Sequence, residues 1–135
     1  MNVNLHIVTL FVRDYDDAIQ YYTQTMGMVL IEDILITTSR RWVKIAPDLQ
    51  SPMHILLHVP LVKEDEAFIG HQAGTRPLLV LNTFEIDKTV QTLLAKGVQF
   101  SKPITQEVYG RRAQFHDLYG NLWEIVQYSV FQPQG

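Results

Sequence analysis

The sequence contains no cysteine, no long apolar run and no surplus of positive charge. Without cysteine there can be no disulfide framework, thiolate nucleophile or sulfur metal site, which is typical of a reducing compartment. No stretch reaches the roughly 18 apolar residues of a membrane span, and the first residues lack the basic region and cleavage site of a signal peptide. We therefore expect a cytoplasmic protein without a membrane partner.

Charge balance and missing motifs exclude further classes of protein. The 11 Lys and Arg residues against 14 Asp and Glu give a net charge of -3, so the basic surface that binds nucleic acid is not expected. The sequence has no glycine-rich phosphate loop and no Ser-His-Asp pattern around a nucleophile elbow. At 135 residues, 47% of them hydrophobic, the chain is long enough to bury the core of a single domain.

Hydrophobic patterns in the first half predict a strand, a helix and three further strands. Residues 3–12 are rich in β-branched and aromatic residues, as strands are. Asp14 is suited to cap a helix over about 15–26, which Gly27 ends. Three strands follow in the stretches "MVLIEDILI", "RRWVKIAP" and "MHILLHVP".

The same order of elements returns in the second half. Residues 78–83 are predicted to form a strand, and Gly97 ends a helix whose apolar stripe consists of Ile86, Val90, Leu93 and Leu94. Strands follow in "VQFSKPI", "RRAQFHD" and "LWEIVQYSV". This repeat predicts an α+β fold of two βαβββ modules, at about 1–62 and 76–131, within one domain. The connector, "LVKEDEAFIGHQAGTR", is predicted to be a surface loop with room for one helical turn.

Alternation of side chains divides each predicted strand into two rows. The apolar rows must lie under the helices. The opposite rows mix apolar and polar side chains and consist of His54, Leu56 and His58, then Arg112, Gln114 and His116, then Leu122, Glu124 and Val126. Such a mixed face has the composition of a ligand pocket. A face that is simply open to solvent gives the same alternation, so both interpretations remain.

Several stretches resemble a known family. "FVRDYDDAIQYYTQTMGM", "RWVKIAP", "LLAKGVQF" and "YGRRAQFHDLYGNLWEIVQ" are similar, in this order, to landmarks of the glyoxalase/bleomycin-resistance/extradiol-dioxygenase proteins, the vicinal oxygen chelate (VOC) superfamily. The resemblance covers nearly the whole chain. It implies two βαβββ modules whose mixed sheets form a ligand-binding cup, often in a homodimer.

The resemblance also implies where a metal would bind. Metal-using members take His or Glu ligands from the first and last strand of each module. The first-strand positions are Ile7 and Leu78 here, whereas the last strands offer Glu124 and either His54 or Leu56. Since aliphatic side chains donate no lone pair, the three ligands of a catalytic divalent site are not reached. We expect no metal cofactor; the alternative is a rearranged site of Glu124 with His54 or His116.

The candidate site residues lie on the mixed face. Glu124 interrupts an apolar run and needs a partner: Arg112 as an ion pair, His116, His54 or the ligand itself. Without a metal, Glu124, His54 and His116 are candidates for general acid–base catalysis. The candidate ligand-binding residues are His58, Arg112, Gln114, Phe11, Asn82 and Trp42.

The remaining basic and imidazole groups have weaker assignments. Arg40 and Arg41 precede Trp42 and are suited to meet an anionic ligand or simply to be solvated. His6 is expected to point to the opposite face as a structural residue. His54 and His58 span about 13 Å if they lie on a strand, at roughly 3.3 Å per residue, so one ion would not bind both.

Three functions follow from this pattern. The first is a glyoxalase/bleomycin-resistance-like protein that binds a small organic molecule in the cup without the usual metal, as a homodimer. The second is a metal-dependent lyase, isomerase or dioxygenase with a rearranged ligand set. The third is a resistance-type protein that sequesters a drug-like compound. The identity of the ligand depends on side-chain packing that no motif specifies.

Overall fold

The structure is a computed structural model that describes residues 1–129. The chain divides into two compact units, Met1–Gln72 and a second that begins at Ala73, and each contains one βαβββ module. The predicted α+β fold of two repeated modules is therefore confirmed. Val130, at the end of the last predicted strand, and the predicted module end at residue 131 lie outside the described residues. No helix within residues 1–129 is long and apolar enough to cross a membrane.

The first unit is a four-stranded mixed sheet with one helix. Its elements are β1 (Ile7–Phe11), α1 (Tyr15–Gln20), β2 (Val29–Leu35), β3 (Arg41–Ala46) and β4 (His54–His58). The strand order is β1-β4-β3-β2, with β1 parallel to β4 and the other pairs antiparallel. The first and last strands of the module are thus neighbours in the sheet.

The first helix starts and ends where the sequence predicts, but it changes form on the way. Asp14 caps it by accepting a hydrogen bond from the Asp17 backbone N–H at 2.8 Å. After Gln20 the chain continues as a π-helical turn, Tyr21–Thr25, in which the Thr23 hydroxyl donates to the Ile19 carbonyl and so competes with the backbone donors of this turn. Ala18 and Tyr22 are fully buried against the sheet.

Arg41 holds this helix on the sheet. Its guanidinium lies 2.8 Å from Asp16 of α1 and 2.6 Å from Asp33 of β2, and it sits 5.3 Å above the Tyr15 ring. The hydrogen bond from Arg41 keeps the pKa of Asp33 below its ordinary value. These contacts connect the start of α1 to β2 and β3.

The predicted connector contains a 3₁₀ helix, Lys63–Phe68, and then turns back to β1. The side-chain amide of Gln72 accepts from the Phe11 N–H at 2.8 Å and donates to the Thr9 carbonyl at 3.0 Å. Because β1 is the edge strand of its sheet, Gln72 supplies the hydrogen bonds that a neighbouring strand would make.

The second unit repeats the same topology. Its elements are β5 (Leu79–Asn82), α2 (Ile86–Ala95), β6 (Phe100–Glu107), β7 (Gly110–His116) and β8 (Leu122–Tyr128), in the strand order β5-β8-β7-β6. Ile86, Val90 and Leu93 of α2 are buried, whereas Leu94 is 52% exposed. The apolar stripe of α2 is therefore narrower than the sequence predicts.

Asp117 organises the turn between β7 and β8. Its buried carboxylate accepts from the backbone N–H groups of Tyr119 and Asn121 at 2.9 and 3.0 Å. It also accepts from the Trp123 indole N–H at 2.9 Å, and Trp123 is fully buried. One carboxylate thus shapes the turn and orients the largest side chain of this core.

We predict that Asp117→Ala lowers the free energy of unfolding by about 3 kcal/mol, because several buried donors lose their acceptor at once. Urea denaturation followed by circular dichroism measures this loss. Asp48→Ala is the control, since Asp48 accepts a single backbone hydrogen bond in an exposed turn, and it should cost less than about 1 kcal/mol. Equal losses in the two variants would contradict the role given to Asp117.

Candidate ligand-binding site

Side chains of β4 alternate as predicted. Ile55 and Leu57 are buried, whereas His54, Leu56 and His58 lie half-buried on the other face. The parallel register pairs Thr9 with Leu56 and Phe11 with His58. The two strands therefore place these four side chains on one continuous surface.

A pocket of about 380 Å³ opens on this surface of the first unit. Its lining combines aromatic and aliphatic side chains with a few charged ones: Thr9, Phe11, Arg40, Arg41, Trp42, Leu56, His58 and Asp65. The volume is within the range of small-molecule sites, and the apolar part of the lining is formed by Phe11, Trp42 and Leu56. Phe11, Trp42 and His58, predicted from the sequence to bind a ligand, come together here.

The Trp42 indole is held in place by a charged pair. Its N–H donates to Glu32 at 3.3 Å, and the Lys44 ammonium lies 2.9 Å from the same carboxylate oxygen. The hydrogen bond with Lys44 lowers the pKa of Glu32, so this acceptor stays charged near neutral pH. Glu32 and Lys44 were not predicted from the sequence to belong to the site. The signal for them was that, in two predicted strands, they lie on the same sheet face as Trp42.

Phe11 connects the sheet to the 3₁₀ helix. Its ring centroid lies 5.9 Å from that of His58 and 6.4 Å from that of Phe68. Both distances are typical of aromatic pairs. The 3₁₀ helix thereby brings Asp65 to the pocket. From the sequence, this segment was predicted to be a surface loop with room for one helical turn.

The surroundings of His58 disfavour its charged form. Burial lowers its pKa, the positive charge of Arg40 lowers it further, and the negative charge of Asp65 acts in the opposite direction. A neutral imidazole has one donor and one acceptor nitrogen. His58 can therefore form hydrogen bonds of either sense with a ligand.

The two neighbouring arginines have different roles. Arg41 borders the pocket, but its guanidinium is engaged by Asp16 and Asp33. Arg40 is exposed and forms no ion pair with any residue in 1–129. Of the pair, Arg40 is the one available to an anionic group.

His54 lies on the same face with an unsatisfied nitrogen. Its Nδ1 is buried and has no hydrogen-bond partner in the part of the chain that the structure describes. The His6 ring, expected on the opposite face, lies with its centroid 5.6 Å from that of His54. The catalytic role proposed for His54 stays a prediction.

In the second unit, Glu124 finds its main partner in Gln114. The two residues face each other across β7 and β8, and the Gln114 amide donates to the carboxylate at 2.7 Å. Arg112 lies 3.8 Å from the same oxygen, which is beyond hydrogen-bond distance. The ion pair expected from the sequence is therefore a long one, and Gln114 supplies the hydrogen bond.

The Arg112 guanidinium lies near two carboxylates, those of Glu107 and Glu124. Its Nε lies 3.5 Å from Glu107, but this buried nitrogen forms no hydrogen bond within residues 1–129. Burial raises the pKa of the nearby Tyr109 phenol, and the charge of Glu124 raises it further. Glu124 thus belongs to a cluster of polar side chains that includes Gln114, Arg112 and Tyr109.

Two other candidates of this unit pair with residues of β8 that are two positions from Glu124. His116 is exposed at the end of β7 and pairs with Leu122. Asn82 is exposed and pairs with Val126. The roles assigned to His116, Asn82 and Arg112 stay predictions.

The residues around Glu124 do not fit the divalent site of metal-using relatives. Val80 lies directly across from Glu124, and Leu78, the first-strand position implied by the resemblance, is aliphatic as well. The Arg112 guanidinium at 3.8 Å repels a second cation. No group of three or more His, Asp or Glu side chains suited to a metal occurs within residues 1–129.

We predict that protein purified without chelator contains less than stoichiometric divalent metal and that Glu124→Ala leaves this content unchanged. Inductively coupled plasma mass spectrometry of both proteins measures it. One tightly bound ion per chain that disappears in Glu124→Ala would overturn the metal-free interpretation.

We also predict that the His58 pKa responds to its two charged neighbours. Arg40→Gln should raise this pKa, because the positive charge that disfavours the imidazolium is removed, and Asp65→Asn should lower it further. NMR titration of the imidazole C–H signals measures both shifts. Lys63→Gln and Glu66→Gln, on the 3₁₀ helix but outside the pocket lining, are controls that should leave the His58 pKa in place.

Comparison with known proteins agrees with this architecture. The model of the Glyoxalase/Bleomycin resistance protein/Dioxygenase superfamily matches residues 4–125. An uncharacterized protein of Shewanella frigidimarina (strain NCIMB 400) is 37% identical over 127 residues, which cover 93% of this chain and 94% of the relative. The structure of UcmS2 superimposes with a TM-score of 0.81 at 25% identity, covering 93% of this chain and 98% of UcmS2. That of TnmS3, an antibiotic binding protein from Streptomyces sp. CB03234, gives 0.77 at 25% identity, with 96% and 99% covered. The chain belongs to the Glyoxalase/Bleomycin resistance protein/Dioxygenase superfamily.

Proposed function

We propose that this protein binds a small, flat organic molecule in the pocket of the first unit and does so without a metal ion. The observation that carries the proposal is the set of three rings, Phe11, Trp42 and His58, around a cavity of about 380 Å³. Flat ligands stack on such rings, and each aromatic contact contributes about 0.5–1.5 kcal/mol beyond the area that it buries.

The pocket is organised before a ligand arrives. Glu32 and Lys44 fix the Trp42 indole, and Gln72 fixes the backbone of β1 at Thr9 and Phe11. Less side-chain and backbone entropy is then lost on binding, which raises the affinity for a given set of contacts.

A binding role is favoured over metal-dependent catalysis for two reasons. The polar cluster around Glu124 lacks the donors of a divalent site, as described above. TnmS3, which is 25% identical over most of this chain, is an antibiotic binding protein. Sequestration of a drug-like compound is one form of the function proposed here, and a lyase, isomerase or dioxygenase activity is the alternative.

The proposal also includes the oligomeric state and the location of the protein. A homodimer is supported by the resemblance to the VOC superfamily, in which dimers are common. A cytoplasmic location is supported by the cysteine-free composition. Sedimentation velocity of the purified protein tests the first of these expectations.

Tryptophan fluorescence tests the binding function directly. The chain has two Trp residues: Trp42 lines the pocket, and Trp123 is fully buried in the second unit. We predict that aromatic acids and amines, with biphenyl derivatives as the first probes, quench the wild-type emission saturably. Trp42→Phe should abolish the quenching and leave the Trp123 emission.

A matched pair of phenylalanine variants controls this experiment. Phe11→Leu removes a ring from the pocket and should weaken binding, whereas Phe84→Leu changes a 77% exposed ring outside the pocket lining and should not. Quenching that persists in folded Trp42→Phe, or affinities that fall equally in the two phenylalanine variants, would place the ligand elsewhere.

A further inference from the structure

We infer that the ligand of this pocket carries two groups of opposite charge on an aromatic body: an anionic group that meets Arg40 and a cationic group that meets Asp65. The inference rests on the function proposed above and adds to it the chemical class of the ligand. It follows from how charge is distributed around the pocket.

Arg40 and Asp65 reach the pocket from different elements. Arg40 immediately precedes β3, and Asp65 lies in the 3₁₀ helix. Both line the cavity together with the aromatic rings. The charges of both act on the His58 imidazole, with opposite signs.

Neither of these two charges is neutralised, whereas other charges of this sheet are. Arg41 pairs with Asp16 and Asp33, and Lys44 pairs with Glu32. Arg40 and Asp65 form no ion pair with any residue in the described range 1–129, nor with each other. The charged residues that are paired hold the scaffold, and the two that border the cavity remain available.

A doubly charged ligand matches this arrangement better than a singly charged one. Hydrogen bonds in which one partner is charged contribute more than neutral ones. A ligand with only an anionic group leaves Asp65 unmatched, and a ligand with only a cationic group leaves Arg40 unmatched. In its neutral form, His58 adds a donor and an acceptor without favouring either sign.

A series of biphenyls that differ only in charge tests the inference. The zwitterion is 4'-(aminomethyl)biphenyl-4-carboxylate. In the 4'-methyl carboxylate a methyl group replaces its aminomethyl group, and in the 4-methyl amine a methyl group replaces its carboxylate. The neutral dimethyl compound carries methyl groups at both positions. By isothermal titration calorimetry or Trp42 quenching, we expect the zwitterion to bind about tenfold more tightly than either singly charged member.

Two pocket variants should separate the two ends of the ligand. Arg40→Gln should weaken the carboxylates about tenfold and leave the 4-methyl amine unaffected. Asp65→Asn should weaken the amines to a similar extent and leave the 4'-methyl carboxylate unaffected. Lys63→Gln is the control for Arg40→Gln and Glu66→Gln the control for Asp65→Asn, because each removes an exposed charge of the matching sign outside the pocket lining. Neither control should change any of the affinities.

The outcomes distinguish this inference from the proposed function. If all four biphenyls bind with similar affinity and the variants have no effect, the pocket binds flat molecules but the inferred charge recognition is wrong. If no member quenches Trp42, both the proposed function and the inference fail. A loss of affinity in Lys63→Gln or Glu66→Gln as large as that in Arg40→Gln or Asp65→Asn would show a general field of the surface rather than the two named residues.

Discussion

Parallel pairing between the first and last strand of a module determines the rest of this structure. Pairing β1 with β4 in the register Thr9–Leu56 and Phe11–His58 sets which side chains share a face, because residues alternate along both strands. The helix that joins β1 to β2 then packs on the opposite face, where Leu10 and Leu57 are buried. The pocket is thus a consequence of strand register, and its residues come from parts of the chain that are distant in sequence.

The two faces of the first sheet use charge in different ways. On the helix side, Arg41 binds two carboxylates and fixes α1, so its charge serves the fold. On the pocket side, Lys44 and Glu32 neutralise each other while orienting Trp42. Burying a charge is costly unless it is paired. Because Lys44 is only 9% exposed, it requires the ion pair with Glu32 that also orients Trp42.

The fold was predictable from the sequence because its signals are local. Period-2 and helical patterns, the Asp14 cap and Gly27 lie within a few residues of the elements that they define, and the repeat doubled the evidence. The partner of Glu124 depends on register instead. Counting outward from the turn 117–121 gives the Gln114–Glu124 pair, but the choice between Gln114 and Arg112 depends on side-chain rotamers. The contributions of Glu32, Lys44 and Asp65 to the pocket arise from packing between separate elements, which no single stretch of sequence records.

The Gln72 side chain alone bonds to two backbone groups of the edge strand β1. An unpaired edge is a template for recruiting strands from other chains, and it leads to aggregation or domain swapping unless it is blocked. Here one amide side chain occupies the outward-facing groups of Thr9 and Phe11, as a one-residue imitation of a neighbouring strand. Two backbone groups of this edge are therefore already bonded and are not available to a strand of another chain, and this is achieved without a charge or a proline, either of which would alter the surface that a ligand meets.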